Sequence, residues 1–179
     1  MRGAPLWLGL GIIALVAALA GYHLGTGTGV SQLEPPPSTG RPIHELVLAD
    51  ITGKPQRLDQ WRGRILVVNY WATWCPPCRD EMPGFSRLQD RYRDKMVQFV
   101  GISIDDPDKI AEFQKETPVT YPLLIADLPT MQSSAGYGNR AQALPFTAVF
   151  DGEGRLAATR LGRWDEADLE REVRRLISG

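Results

Sequence analysis

Two cysteines are the residues of this chain whose type and spacing point most directly to chemistry. Cys75 and Cys78 are the only cysteines among 179 residues, and two prolines separate them. The apolar run at residues 65–71 has the character of a buried strand, and residues 79–93 have that of a helix. A Cys-x-x-Cys pair at such a strand-to-helix junction is typical of a dithiol that cycles between thiol and disulfide.

The position at a helix start predicts different roles for the two thiols. Cys75 falls at the helix N-terminus, where unpaired N–H groups and the helix dipole favour negative charge. Such placement lowers a thiol pKa from about 8.5 to roughly 3.5–7.5. We therefore expect Cys75 to be the attacking thiolate and Cys78, one turn further along, to be the shielded resolving thiol. The alternative is a static disulfide, which a two-residue loop disfavours because it closes little chain entropy.

The residues around the pair predict its redox character and its contacts. Pro76 and Pro77 fit the first helical turn, where a missing N–H costs little. They remove donors that would stabilise a thiolate, so we expect a reducing rather than a strongly oxidising couple. Trp71 and Trp74 are expected to form an apolar collar, although Trp71 fits a place in the core equally well. Trp74, with the two prolines, is a candidate substrate contact.

The elements that must position the pair belong to an α/β domain predicted over residues 43–179. Besides the helix after the cysteines, periodicity predicts helices at residues 107–116, at 131–137 and after a cap at Asp165. Alternating and apolar runs predict strands, the last two in a hairpin. This order implies a central mixed sheet flanked by helices. The predicted strands cover residues 45–50, 65–71, 97–104, 123–125, 146–150 and 156–160.

Composition narrows the possible functions. The chain is 43% apolar and 23% charged, which suits a globular core. Its 20 basic and 21 acidic residues give a net charge of -1, so no nucleic-acid partner is expected. Two cysteines cannot supply a four-thiolate metal site. A Cys/His site would need His44, which is far from the cysteines in sequence, because His23 lies in the apolar N-terminal stretch. We therefore expect no metal and no cofactor beyond the redox disulfide. Asp105, Asp106 and Asp108 are expected to form a solvated loop and helix start rather than a metal cluster.

The N-terminal segment is predicted to be a membrane anchor. No charged side chain occurs at residues 4–24, a length that crosses a hydrocarbon core as one helix. Arg2 precedes this stretch and the next basic residue is Arg41, which places the N-terminus in the cytoplasm and the rest across the membrane. A cleaved signal peptide is the alternative, because residues 18–20 fit an A-x-A cleavage site. Residues 1–24 are thus the expected anchor, followed by a Gly/Pro-rich linker at 25–42.

Three segments of the domain resemble the thioredoxin superfamily. More narrowly, they resemble its membrane-tethered TlpA-like group, which includes the ResA and CcmG type of cytochrome c maturation. The segments are residues 69–83 around the cysteines, residues 144–154, and residues 161–162. The resemblance implies a thioredoxin-like fold for the α/β domain.

The same resemblance implies roles for further residues. Glu81 matches a glutamate that sets cysteine acidity and passes protons in TlpA-like reductases; an ordinary exposed helix glutamate is the alternative. Pro145 resembles the family's cis-proline, which faces the dithiol and, with Leu144 before it, presents backbone to a substrate strand. From the sequence alone it is a strand-entry proline. Two positions depart from the family: Asn69 replaces the buried Asp of thioredoxin, and Phe146 replaces an acidic residue frequent in cytochrome-maturation members.

The expected protein is a single-pass thiol-disulfide oxidoreductase of the bacterial inner membrane, with its catalytic domain facing the periplasm or another extracytoplasmic space. It is expected to reduce protein disulfides, those of apocytochrome c among them, with electrons from a membrane donor protein, because that compartment favours oxidation. Two alternatives remain open. One is a peroxiredoxin-like peroxidase, which uses a cysteine in a different local pattern. The other is a copper-binding assembly factor, which requires more His near the thiols.

Overall fold

The domain is built around a mixed sheet of seven strands. The computed structural model describes residues 41–179. The spatial order of the strands is β2-β1-β5-β4-β3-β6-β7. Neighbours β3, β4 and β5 pair in parallel, whereas the remaining pairs are antiparallel. The strands are β1 Val47–Asp50, β2 Pro55–Arg57, β3 Ile65–Tyr70, β4 Val97–Ser103, β5 Leu123–Ile125, β6 Phe146–Phe150 and β7 Leu156–Leu161.

Four α-helices and four short 3-10 helices complete the domain. The α-helices are α1 Pro76–Tyr92, α2 Pro107–Glu116, α3 Leu128–Gln132 and α4 Glu166–Ser178. The 3-10 helices are Ile43–Glu45, Leu58–Trp61, Arg93–Lys95 and Ser133–Tyr137. These elements confirm the predicted mixed sheet flanked by helices, and α1 begins three residues earlier than periodicity indicated because its first turn consists of the two prolines and Cys78.

Each face of the sheet has its own hydrophobic core, because successive side chains of a strand point to opposite faces. On β3, Val67 belongs to one core, and Leu66 and Val68 belong to the other. The first core also contains the buried sides of α1, α2 and α4. The second is covered by the 3-10 segments, with Leu58 and Tyr137 fully buried. Asn69 lies two positions after Val67 on β3, so its side chain points to the same face of the sheet, which α1 covers.

Some sequence predictions differ from the structure. The strand β2 was not predicted, because three residues with one half-buried side chain carry no apolar signal. Asp165 is the N-cap residue of α4, but its carboxylate makes no capping hydrogen bond and pairs instead with Arg163, 3.2 Å away. No helix within residues 41–179 is both long and apolar enough to cross a membrane. The predicted anchor, residues 1–24, lies outside the described residues, as do residues 25–40 of the predicted linker.

Candidate active site

The two cysteines form a disulfide at the start of α1. Cys75 is the N-cap residue, and its carbonyl accepts hydrogen bonds from the N–H groups of Cys78 (3.1 Å) and Arg79 (3.2 Å). The prolines between them occupy the first helical turn, as predicted. Cys78 is completely buried, whereas Cys75 keeps a small exposed area and lines a surface cavity. Only the outer sulfur is therefore open to a partner.

An apolar cavity of about 510 Å³ opens beside Cys75. Among the described residues that line it, none is charged. Trp74, 67% exposed, and Leu128, 59% exposed, are two of its walls, and neither is needed in the core. Exposed apolar surface gathered in one place marks a contact surface for another molecule. The lining consists of Trp74, Cys75, Pro76, Pro77, Ile104, Leu128, Met131, Ser134, Asn139, Gln142, Ala143 and Leu144.

Glu81 lies on the buried side of the disulfide, one helical turn after Cys78. It is only 3% exposed, so the alternative of an ordinary exposed helix glutamate is wrong. Its Oε1 accepts a hydrogen bond from Nδ2 of Asn69 (2.8 Å), and its Oε2 accepts one from the backbone N–H of Trp164 (2.8 Å). Burial raises the pKa of Glu81 from 4.5 to about 7, against the two hydrogen bonds and the charge of Arg163, which lower it.

Asn69 connects Glu81 to the sheet. Its Nδ2 also donates to Oγ1 of Thr147 on β6 (3.0 Å), while its Oδ1 is buried without a protein partner. The amide therefore supplies a donor to the Glu81 carboxylate and holds it against β3. An amide at this position leaves Glu81 as the carboxylate of this small polar cluster.

The segment before β6 forms the wall of the cavity opposite the helix start. The Leu144–Pro145 peptide bond is cis, as the resemblance implied. Pro145 is buried and its carbonyl accepts a hydrogen bond from the N–H of Gly162 (2.8 Å). Leu144 is partly buried and lines the cavity, whereas Pro145 does not line it.

Asn139 holds this wall and was not predicted from the sequence. Its side chain is buried; Oδ1 accepts a hydrogen bond from the N–H of Ala143 (3.1 Å), and Nδ2 donates to the Ala143 carbonyl (3.1 Å) and to Oγ of Ser134 (3.2 Å). The amide thus fixes both backbone groups of the residue next to Leu144. An Asn two residues after a short helix resembles any loop residue, so no sequence signal marked it.

Asp105 was predicted to be solvated, and that prediction is wrong. Its carboxylate is buried, and Oδ2 accepts hydrogen bonds from the backbone N–H of Thr73 (2.6 Å) and from Oγ of Ser103 (3.1 Å). Asp106 and Asp108 are exposed, as expected for a loop and a helix start. Across residues 41–179 no group of three or more His, Cys, Asp or Glu side chains is placed to bind a metal ion.

The remaining aromatic and histidine candidates belong to the core. Trp71 is fully buried and packs on Phe113, with ring centroids 4.8 Å apart, so the collar around the disulfide consists of Trp74 alone. His44 is buried in the 3-10 segment Ile43–Glu45, where its Nδ1 lies 3.4 Å from the carbonyl of Leu58. The structure thus gathers Trp74, both prolines and Leu144 around the outer sulfur, and Glu81 behind the inner one.

Comparison with known proteins identifies the family. Residues 39–159 match the profile of the AhpC/TSA family. The chain belongs to the AhpC/TSA family. A thiol-disulfide oxidoreductase ResA from Geobacillus kaustophilus (strain HTA426) is 26% identical over 163 residues, which cover 90% of each chain.

Solved structures of this AhpC/TSA-family chain's relatives agree with its fold. A thiol:disulfide interchange protein of the thioredoxin family from Chlorobium tepidum TLS superimposes with a TM-score of 0.70 at 26% identity, covering 77% of this chain and 97% of that one. A thioredoxin-related protein from Neisseria meningitidis serogroup B gives a TM-score of 0.66 at 36% identity, covering 74% and 99%. With the Cys75–Cys78 disulfide, these likenesses make the chain a thiol-disulfide oxidoreductase of thioredoxin-like fold.

Proposed function

We propose that this oxidoreductase reduces disulfides of protein substrates in an extracytoplasmic space, held at the bacterial inner membrane by residues 1–24. The observation that carries the proposal is the uncharged cavity beside the outer sulfur of the disulfide. Its volume of about 510 Å³ accommodates side chains of a polypeptide, and its walls offer apolar contact without selecting a charge. The match to a thiol-disulfide oxidoreductase ResA over 90% of the chain supports the activity. The uncharged stretch at residues 4–24 supports the tether.

Reduction proceeds through a mixed disulfide. In the reduced enzyme the Cys75 thiolate attacks one sulfur of the substrate disulfide, and the other substrate sulfur leaves as a thiolate. Cys78 then gives up its proton and attacks the Cys75 sulfur, which releases the second substrate sulfur. Two electrons pass from the dithiol to the substrate, and the enzyme is left with the Cys75–Cys78 disulfide.

Glu81 is the proposed acceptor of the Cys78 proton. It lies one turn along the same helix, away from solvent, where water does not replace it as a base. A pKa of about 7 leaves both protonation states populated near neutral pH, which is the condition for accepting a proton in one half-reaction and returning it in the other. Asn69 keeps the carboxylate oriented in this exchange.

The proposed partners follow from this cycle. Each turnover oxidises the dithiol, so an electron donor has to reduce it again, and a membrane protein beside the tether fits that role. We propose apocytochrome c as a substrate, supported by the resemblance to the ResA and CcmG type of reductase. The compartment favours oxidation, so a disulfide formed between the cysteines of apocytochrome c has to be reduced again.

Trapping of substrates tests the proposal. In cells, full-length Cys78→Ser should accumulate mixed disulfides with extracytoplasmic proteins, because the resolving thiol is absent, whereas Cys75→Ser should not. Apocytochrome c among the trapped proteins would establish the substrate. The reverse pattern for the two variants contradicts the assigned roles, and turnover of hydrogen peroxide by the wild type at a rate equal to disulfide reduction supports the peroxidase alternative instead.

A further inference from the structure

A buried carboxylate holds the loop that leads into the active site. Asp105 lies between β4 and α2, and its Oδ2 accepts the N–H of Thr73 at 2.6 Å. Thr73 belongs to the turn in which the N–H of Cys75 donates to the carbonyl of Ala72 (3.2 Å). A hydrogen bond to an ionised acceptor is roughly twice as strong as a neutral one. The loop is therefore held by a residue of another loop, 32 residues away in the sequence.

The Asp105 side chain is itself held in place. Oγ of Ser103, the last residue of β4, donates to the carboxylate (3.1 Å) and accepts the backbone N–H of Asp105 (3.1 Å). Asp105 is buried and belongs to none of the ion pairs formed among residues 41–179. Its negative charge is consequently compensated by hydrogen-bond donors and not by a cation.

We propose that Asp105 is a positioning residue with an electrostatic role: it holds the loop before Cys75, and its negative charge disfavours the Cys75 thiolate, which makes the dithiol a stronger electron donor. This rests on the proposed role of Cys75 as the attacking thiol. Oδ2 of Asp105 lies 2.6 Å from the backbone nitrogen of Thr73, two residues before Cys75. A carboxylate held against the same short loop raises the energy of a thiolate there, because the two groups have like charge.

Few other charges act on this thiol. On its own helix the ionisable neighbours are Arg79, Asp80 and Glu81, of which Arg79 is paired with Glu116 of α2 (3.3 Å). The cavity side contributes none among its described lining residues. Asp105 is thus the carboxylate that contacts the active-site loop directly. A destabilised thiolate destabilises the reduced enzyme, so electrons leave it more readily.

The pH dependence of thiol alkylation tests this role in the full-length chain, purified in mild detergent and reduced. Asp105→Asn keeps an oxygen to accept the Thr73 N–H but removes the charge. We expect it to lower the pKa of the Cys75 thiol by about half a unit to one unit, read from the rate of iodoacetamide alkylation against pH. The oxidation equilibrium with glutathione, measured above the thiol pKa, should shift about threefold or more toward the reduced enzyme.

Controls separate charge from structure. Asp106→Asn removes the same charge one residue away, where the side chain is 77% exposed, and should leave the alkylation profile unchanged. Asp105→Ser, which also lacks the charge, replaces the Asn variant if that variant fails to fold, and should lower the pKa in the same direction. An unshifted or upward-shifted profile in the folded variant overturns the inference, and so does an equal shift in Asp106→Asn. Mass spectrometry showing Cys78 alkylated first contradicts the proposed roles of the thiols instead.

Discussion

The two sides of the Cys75–Cys78 disulfide differ in polarity, exposure and proposed role. The outer side, at Cys75, opens on a cavity whose described lining carries no charge. The inner side, at Cys78, holds the buried Glu81 carboxylate with hydrogen bonds from Asn69 and Trp164. The proposed function assigns substrate contact to the outer side and proton transfer to the inner side. A substitution on one side should therefore change one of these properties and spare the other.

The largest expected effect is on the inner side, in the pH dependence of folding. The pKa of Glu81 is raised from 4.5 to about 7 by burial. Between these pH values the unfolded chain has lost this proton while the folded domain retains it, so the contribution of Glu81 to stability is full below pH 4.5 and is lost as pH rises through 7. The loss amounts to at most about 3 kcal/mol. Urea unfolding of the oxidised protein, compared with Glu81→Gln between pH 4.5 and 8, should show this difference.

Other carboxylates act in the opposite direction, which is why the comparison with the Gln variant is needed. The pKa of Asp50 is lowered to about 2, mainly by the Thr52 hydroxyl, and this stabilises the fold above pH 4. Asp80→Asn is the matched control, since Asp80 is an exposed carboxylate beside Glu81 on α1. If wild type and Glu81→Gln lose stability in parallel from pH 4.5 to 8, Glu81 does not titrate in this range and the inner side is a structural cluster only.

The next largest effect concerns catalysis on the inner side. Reduction of insulin disulfides by the wild type should show an inflection near pH 7, where Glu81 becomes able to accept a proton. Glu81→Gln should lose this inflection and be slower by at least about tenfold above pH 7, because the variant has no base there. The value of KM should not change, since Gln leaves the outer side intact. If the pH profile and the rate are both unchanged in Glu81→Gln, Glu81 does not accept a proton during catalysis.

The contrast between the sides also marks where sequence reasoning succeeded and failed. On the outer side, Trp74 and the two prolines are local to the cysteines in sequence, and their types indicate contact and turn geometry. The cis bond before Pro145 was implied by the family resemblance and not by the local pattern. The main elements were foreseen because β3 and α1 have strong periodicity. The burial of Glu81 was not decided by the sequence, since its partners lie 12 and 83 residues away.

The error on Asp105 has the same origin. Three acidic residues around a proline are typical of a solvated loop, and two of the three are exposed. The third is buried because the N–H of Thr73, 32 residues earlier, reaches it across the sheet edge. Nothing within the local pattern distinguishes Asp105 from Asp106. Only the parallel pairing of β3 and β4, which ends both strands at one edge, brings the two loops together.

On the outer side, a charge in the cavity should weaken substrate binding. Leu128→Asp places a carboxylate in an otherwise uncharged lining, and we expect KM for a protein disulfide to rise about fivefold with kcat little changed. Folding should be unaffected because the leucine is already exposed. Met96→Asp is the matched control, since Met96 is 52% exposed and does not line the cavity. Equal KM values for the two variants would show that the substrate does not bind in the cavity.

The smallest effect should come from Asn139, a buried residue that shapes the outer wall through the Ala143 backbone. Asn139→Ala removes both hydrogen bonds to the Ala143 backbone, so Leu144 is held less firmly. We expect KM to rise about two- to threefold and stability to fall by about 1–2 kcal/mol. Ser133→Ala is the control, because its hydroxyl bonds the Thr130 carbonyl in the same region and does not line the cavity. The pH inflection assigned to Glu81 should stay at its wild-type position. A shift of that inflection would mean that the two sides of the disulfide are coupled through β6, and that the outer wall also acts on proton transfer.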